Sequence, residues 1–264
     1  FSPSKHLILR QKKYIMYLDI VRRFTFYMFD LSIAGLNIRI MQDNPILAPD
    51  TGKYICGNTE NHFDITVNLT DELLRKEHDL EKSMGMKLDA DNSEYLAIYR
   101  YIAEKIVDFD GFLMHASVAE KDGKAYAFSA PSGTGKSTHA RLWRENIDGI
   151  HMINDDKPII RLFDGIPYAC GTPWCGKHNL SENRLVPLHA ICFLEQSPEN
   201  SIEKRRPEQE ISKLIAQVYR PSDAERMLKT LDLIDMALAH LSVYRMKCNM
   251  EPDAPILSYS TMSK

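Results

Sequence analysis

The sequence predicts an α/β fold: a nucleotide-binding core over residues 91–264, preceded by a small β-rich N-terminal lobe over residues 1–90. Three observations carry that expectation. Short apolar runs of strand length are separated by Ala-Gly and Asp-Gly pairs, the residues that close tight turns. Longer stretches repeat their apolar residues at three- and four-residue spacing, the period of a helix packed on a core. Between a strand run and a helical run lies Ala130-Pro-Ser-Gly-Thr-Gly-Lys-Ser137, a glycine-rich loop of the kind that holds phosphate.

The first twenty residues are basic and irregular and predict no element. Runs 24–31 and 36–41 flank Ala34-Gly35 and predict a hairpin; residues 62–69 alternate apolar and polar, as a half-buried strand does. From Ser93, the positions Tyr95, Leu96, Tyr99, Ile102, Ala103 and Ile106 make one apolar helix face, which Asp110-Gly111 ends. Runs 112–119 and 125–130 around Asp122-Gly123 predict a second hairpin, leading into the glycine-rich loop and a helix through about Arg144. A strand at 150–153 ends in Asn154-Asp155-Asp156. Runs 159–163 and 166–170 flank Asp164-Gly165 as a third hairpin, and the unbroken apolar run 188–194 predicts a buried strand. Helices at 208–218 and 223–240, a strand at 243–248 and a helix after Pro255 complete the chain.

Composition excludes several classes. Lys and Arg total 33 against 36 Asp and Glu, a net charge of −3, which offers no field for nucleic acid. Apolar residues at 44% are too many for a disordered chain. The longest apolar stretch, 14–35, is broken by Asp19, Arg22, Arg23 and Asp30 and lacks a signal-peptide cleavage site, so neither a membrane span nor a secretory leader is expected. Five scattered cysteines predict reduced thiols and a cytoplasmic protein rather than a disulfide framework. The chain opens on Phe1, and its true start is expected to lie upstream.

Each residue type in the loop has a physical task. Gly133 and Gly135 let successive N–H groups turn inward toward phosphate oxygens, and the following helix adds its positive end. Lys136 sets a mobile charge on the β- and γ-phosphates, and the Ser137 hydroxyl suits Mg²⁺. Ala130 stands where the pattern usually has its first glycine. Ala130, Ser132, Gly133, Thr134, Gly135, Lys136, Ser137 and Thr138 are therefore the candidate contacts for ATP. About twenty residues downstream, Asp155 and Asp156 end an apolar strand, where a nucleotide-bound metal finds a second protein contact and a neighbouring carboxylate can accept a proton. The same Asn-Asp-Asp run also suits a plain polar turn.

His115, the hairpin, Ser132-Gly-Thr-Gly-Lys-Ser137 and Asp155-Asp156 occur in the order that characterises the catalytic domain of the HPr serine kinase/phosphorylase family, and residues 111–160 closely resemble it. That family is related in nucleotide-site architecture to the ATP-dependent phosphoenolpyruvate carboxykinases, and the resemblance implies a P-loop kinase core of this type. It further implies that Asp156 accepts the proton of a substrate serine and that His115 contacts the acidic pair. Lys136 and Ser137 would bind phosphate and Mg²⁺, and Asp155 would lie nearer the metal. A metal-binding Glu of the family corresponds to Glu182 and a later catalytic Arg to Arg205 or Arg206. The family's Arg-Gly-x-Gly signature is replaced by Gly171-Thr-Pro-Trp-Cys-Gly-Lys-His178, and its larger N-terminal domain by residues 1–90. The chain looks more similar to small stand-alone relatives, including kinases that act on serine in ribosomally made peptides such as lasso precursors.

The expected activity is thus transfer of the γ-phosphate of ATP, with Mg²⁺, to serine in a peptide or small protein. Phosphorylation of a small molecule, or nucleotide binding without turnover, are the alternatives; association into a homo-oligomer is left open. Cys170, Cys175 and His178 have donor types that suit zinc, but their spacing is at the edge of the usual range and no fourth ligand is evident. The basic run Lys204-Arg205-Arg206 is read first as a solvated face.

Overall fold

The computed structural model describes residues 27–42, 51–57, 62–86 and 90–264, with side chains of residues 90 and 91 excepted. The start of the first predicted hairpin strand, residues 24–26, lies outside them. β1 (Tyr27–Ile33) and β2 (Leu36–Gln42) pair antiparallel across Ala34-Gly35, both at positive φ (54° and 75°), which matches the right-handed twist of the strands. β3 (Ile65–Asn68) adds in parallel to β2, closing a three-stranded sheet.

The β-rich lobe also holds a helix that the apolar pattern does not announce, α1 (Asp71–Ser83). Its sequence is dominated by charge, so the apolar period is faint. Its start is nonetheless well specified: the Thr70 hydroxyl accepts the Leu73 N–H, and Asp71 and Glu72 occupy the first turn. α2 (Ala90–Lys105) packs on it, with Arg100 Nε donating to the buried Glu77 carboxylate at 3.0 Å. Leu31, Ile38, Val67, Ile102, Ile160 and Val186 belong to one apolar cluster, so the small sheet and the large one share a core.

The large sheet has nine strands: β4 (Gly111–Leu113), β5 (Ser117–Lys121), β6 (Lys124–Ser129), β7 (His151–Asn154), β8 (Ile159–Phe163), β9 (Ile166–Cys170), β10 (Leu185–Gln196), β11 (Ser201–Arg205) and β12 (Ser242–Cys248). The long β10 joins its two halves, pairing antiparallel with β9 at its start and parallel with β6 and β12 beyond. The strands are mixed in direction and the sheet curls. β11 escapes the apolar pattern because it is a polar edge strand, Ser-Ile-Glu-Lys-Arg, with no fully buried residue. β6 shows why the centre holds: Ala125 and Ala127 face one core, Tyr126 and Phe128 the other, all buried. Against that second face lie α3 (Lys136–Asn146) and α6 (Asp253–Met262), locked together where Trp143 Nε1 donates to Ser258 Oγ at 2.8 Å. Pro255 sits inside the first turn of α6, where a missing N–H costs nothing. α4 (Ile211–Gln217) and α5 (Ala224–Leu238) close the opposite side. Among the described residues no helix is long and apolar enough to cross a membrane.

Candidate functional site

β7 runs antiparallel to β5, which runs antiparallel to β6, so the ends of β6 and β7 emerge together. The glycine-rich loop leaves one and the acid pair leaves the other, at the carboxyl ends where open sheets bind ligands. The predicted strand 112–119 is divided into β4 and β5, yet the pairing keeps one register from Gly111 to Val118 and shifts only at Ala119, which lies opposite Met152. Gly111 lies opposite Arg161 and Leu113 opposite Ile159; the N–H groups of Met114 and Ala116 then donate to the carbonyls of Pro158 and Asp156, and Val118 lies opposite Asn154. At the bend between them, the His115 N–H turns away to the Gln217 carbonyl at the end of α4, at 2.7 Å.

That bend carries the titratable groups. His115 Nε2 lies 3.1 Å from Asp156 Oδ1, and His115 Nδ1 lies 3.0 Å from Gln217 Oε1. Lys157 Nζ is 3.3 Å from the other Asp156 oxygen. Burial works to raise the Asp156 carboxyl, but the His115 hydrogen bond and the Lys157 charge outweigh it and hold it below the usual range. Asn154, fully buried, shapes the turn: its Oδ1 accepts the N–H groups of Asp156 and Lys157, and its Nδ2 donates to Thr172. The polar turn and the acid pair are thus one device.

Asp155 faces the other way. Its Oδ1 accepts the Gly176 N–H at 2.6 Å, while its buried Oδ2 makes no hydrogen bond among the described residues. Burial raises this carboxyl above its ordinary value. A Cβ on residue 176 would stand 3.2 Å from that oxygen, so glycine lets the 171–178 loop clamp the acid. Asp155 and Ser137 line the same small cavity. A buried, unpaired carboxylate oxygen beside a hydroxyl fits Mg²⁺, which takes one or two protein oxygens and fills its remaining positions with phosphate and water.

The loop itself turns at Gly133 and Gly135, at φ 80° and 112°. Ala130 is buried, Ser132 and Gly133 are exposed, and Thr134, Ser137 and Thr138 are half-buried. Lys136 is buried and donates to the Ala130 carbonyl at 2.8 Å, bridging its own loop. Desolvation lowers its ammonium and the nearby Asp156 charge opposes that shift, so lysine and acid feel one another across the site. Beside the loop, a cavity of about 620 Å³ is bounded by Ser129–Thr134, by Phe193–Gln196 at the end of β10, and by Lys213, Ala216 and Gln217 of α4. That volume lies within the range of small-molecule ligand pockets.

Two candidates lie apart from this cluster. The Glu182 carboxylate pairs with His151 (3.5 Å) and Arg184 (3.2 Å). Arg206 is exposed and follows β11 near the level where β12 begins, the opposite end of the sheet from the loop. Arg205 binds Glu203 and the buried Glu210, which Arg245 also contacts, so part of the basic run is tied down rather than solvated. Cys170 is wholly buried, its thiol pushed up to about 12 by desolvation, which makes it a poor zinc ligand; His178 is exposed. All five cysteines are free. Gln217 and Lys157 were not singled out from sequence. Lys157 adjoins the acid pair and could have been suspected, whereas nothing local marks Gln217.

No protein-family model matches the chain, and no curated protein sequence matches it. Among solved structures, the HPr(Ser) kinase/phosphatase from Coxiella burnetii is similar at 11% identity and a TM-score of 0.31, over 56% of this chain and 95% of that one. A likeness of that degree assigns neither fold nor activity.

Proposed function

We propose that this protein is an ATP-dependent kinase that transfers the γ-phosphate to a serine hydroxyl in a peptide or small protein. The observation that carries it is the convergence of a phosphate loop with two carboxylates in opposite electrostatic states. Asp156 is held ionised beside His115 and Lys157; Asp155 is buried, with one oxygen that makes no hydrogen bond among the described residues, and lines one cavity with Ser137. A loop that only bound nucleotide would need no proton acceptor.

In this reading Lys136 leaves the Ala130 carbonyl for the β- and γ-phosphates, and loop N–H groups hold their oxygens. Ser137 and Asp155 would hold Mg²⁺, which when bound would neutralise charge on the transferring phosphoryl group. Asp156 takes the proton from the serine hydroxyl as its oxygen forms a bond to the γ-phosphorus. The bond to the β–γ bridging oxygen breaks, and ADP departs with the electron pair. His115 keeps Asp156 oriented and ionised. Serine as the acceptor rests on the resemblance of residues 111–160 to HPr serine kinases. The free thiols suit a reducing compartment, and we place the activity in the cytoplasm.

The test is incubation with Mg·ATP and a panel of serine peptides, small proteins and free hydroxy amino acids, with phosphoserine read by mass spectrometry. Phosphoserine in a peptide or protein is the expected result. ATP binding with no turnover on any acceptor would overturn the kinase reading.

A further inference from the structure

A second cavity, of about 190 Å³, is lined by His115 and Lys157, the two residues that contact Asp156. It shares Ala216 and Gln217 with the larger cavity at the phosphate loop, so one wall divides them. At about 30 Å³ per molecule it would hold on the order of six waters, and it is smaller than the ~300 Å³ at which pockets enclosing whole drug-sized ligands begin. A nucleotide does not fit there. A side chain on an extended backbone can.

Its lining suits that occupant. Leu113 and Val218 supply apolar surface, and His115, Lys157, Tyr99 and Tyr219 supply polar groups. The Tyr219 hydroxyl is engaged with Glu104 at 3.4 Å. The Tyr99 hydroxyl makes no hydrogen bond among the described residues. Its ring is nonetheless fixed, edge-on to Trp174 at 5.3 Å and to Tyr219 at 6.2 Å. Desolvation, with Tyr219 and the Asp156 charge adding to it, holds the phenol well above its usual range, so it stays a neutral donor. The residue that the helical periodicity places on a packing face thus presents a rigid O–H, with nothing to donate to, beside the proposed base.

We propose that this pocket is the acceptor subsite: it receives the serine side chain of an extended peptide, and the Tyr99 hydroxyl donates to a peptide carbonyl flanking that serine. This rests on the kinase reading above. Donation to the carbonyl leaves the serine oxygen free to attack the γ-phosphorus while its proton passes to Asp156. Trp174, from the loop that clamps Asp155, backs the phenol and couples the two halves of the site.

The test uses a seven-residue Gly/Ala peptide with one central serine, compared with free serine. With wild-type protein the peptide is expected to be phosphorylated with a kcat/KM at least tenfold above free serine. Tyr99→Phe removes only the hydroxyl and should raise peptide KM about three- to tenfold, the value of one neutral hydrogen bond, while ATP KM moves less than twofold. Peptide should also change the fluorescence of Trp174 saturably, a signal lost in Trp174→Phe, with a Kd weakened by the same factor in Tyr99→Phe. Unchanged peptide KM and Kd in Tyr99→Phe, or free serine equalling the peptide, would overturn the subsite. The two failures separate cleanly. If wild-type protein makes no phosphoserine the kinase reading falls, and the Trp174 titration still decides whether the pocket binds peptide through Tyr99.

Discussion

On the phosphate side of the site, residues 130–137 form one continuous turn whose proposed binding groups are largely backbone N–H, positioned by β6 and α3. On the proposed acceptor side, Tyr99 comes from α2, His115 from the bend after β4, Asp156 and Lys157 from the turn after β7, Gln217 from α4 and Tyr219 from just beyond it. The first is a local structure that a short sequence can specify almost alone, because glycine conformations and a helix start follow from neighbouring residues. The second exists only once the sheet has curled and α4 has docked on the bend. The difference teaches what each side depends on: the loop on its own contiguous residues, the other wall on long-range contacts made one at a time.

The sharpest way to break this comparison is at Asp156, where the two sides meet. Asp156→Asn keeps the shape and removes the basicity. Transfer should fall about 10²–10⁴-fold with Mg·ATP affinity within a factor of about two, as measured by single-turnover rates and nucleotide titration. Parent-rate transfer would remove Asp156 as the base. Next in size is Lys136→Ala, which takes a buried cation from the loop. A charge-assisted hydrogen bond of about 1.5–3 kcal/mol predicts a loss of roughly 10- to 150-fold in Mg·ATP affinity by calorimetry, with peptide binding little altered. If both affinities dropped together, the two sides would be one cooperative unit instead of two.

Asp155 sharpens the contrast through stability. Burial raises its folded pKa above that of the unfolded chain, so the folded state favours the protonated acid. The stability that follows is full below the unfolded value, about 3.9, and is lost as pH rises through the folded one. At pH 7 the ionised acid is therefore a cost, which Asp155→Asn removes while its side-chain oxygen still accepts the Gly176 N–H. Thermal melts should show the variant more stable than wild type at pH 7, the two converging as pH falls toward 4. Mg²⁺ should raise the melting temperature of the wild type only. A variant less stable at neutral pH would mean that Asp155 is a structural acid.

How far the sequence spoke follows the same division. The hairpins around Ala34-Gly35, Asp122-Gly123 and Asp164-Gly165 were legible because each turn is written in two adjacent residues. The loop and Asp155-Asp156 were legible as short contiguous runs, and the helix face of Tyr99 by its three- and four-residue repeat. α1 was hidden by its charge and β11 by its polarity, since neither buries enough apolar surface to mark a period. Lys157 and Gln217 were missed on different grounds. The first looked like one more surface cation after an acid pair; the second, the last residue of a seven-residue helix, acquires its place only through contact with a strand bend about a hundred residues earlier.

Gln217 gives the smallest expected effect and the most discriminating one. Both imidazole nitrogens of His115 face acceptor-capable groups: Nε2 faces the Asp156 carboxylate and Nδ1 faces the Gln217 amide. If the amide presents its oxygen, both nitrogens must donate and the ring is cationic. If it presents its NH₂, a neutral ring still donates through Nε2 to Asp156. Either way the amide keeps an Nε2–H pointed at Asp156, and that hydrogen bond helps to hold the acid low. Gln217→Leu preserves the backbone contact from the His115 N–H to the residue 217 carbonyl but frees the ring. The Asp156 carboxyl should then rise, so the acid limb of the kcat–pH profile should move to higher pH. The plateau rate should fall no more than about tenfold, the worth of one neutral hydrogen bond. Gln217→Glu, which can only accept, should instead favour the cationic ring and shift the acid limb the other way. Opposite shifts from the two variants would establish that α4 sets the state of the proposed base across the wall it shares with the larger cavity. Equal shifts, or none, would reduce Gln217 to packing and leave His115 to orient Asp156 by its backbone position alone.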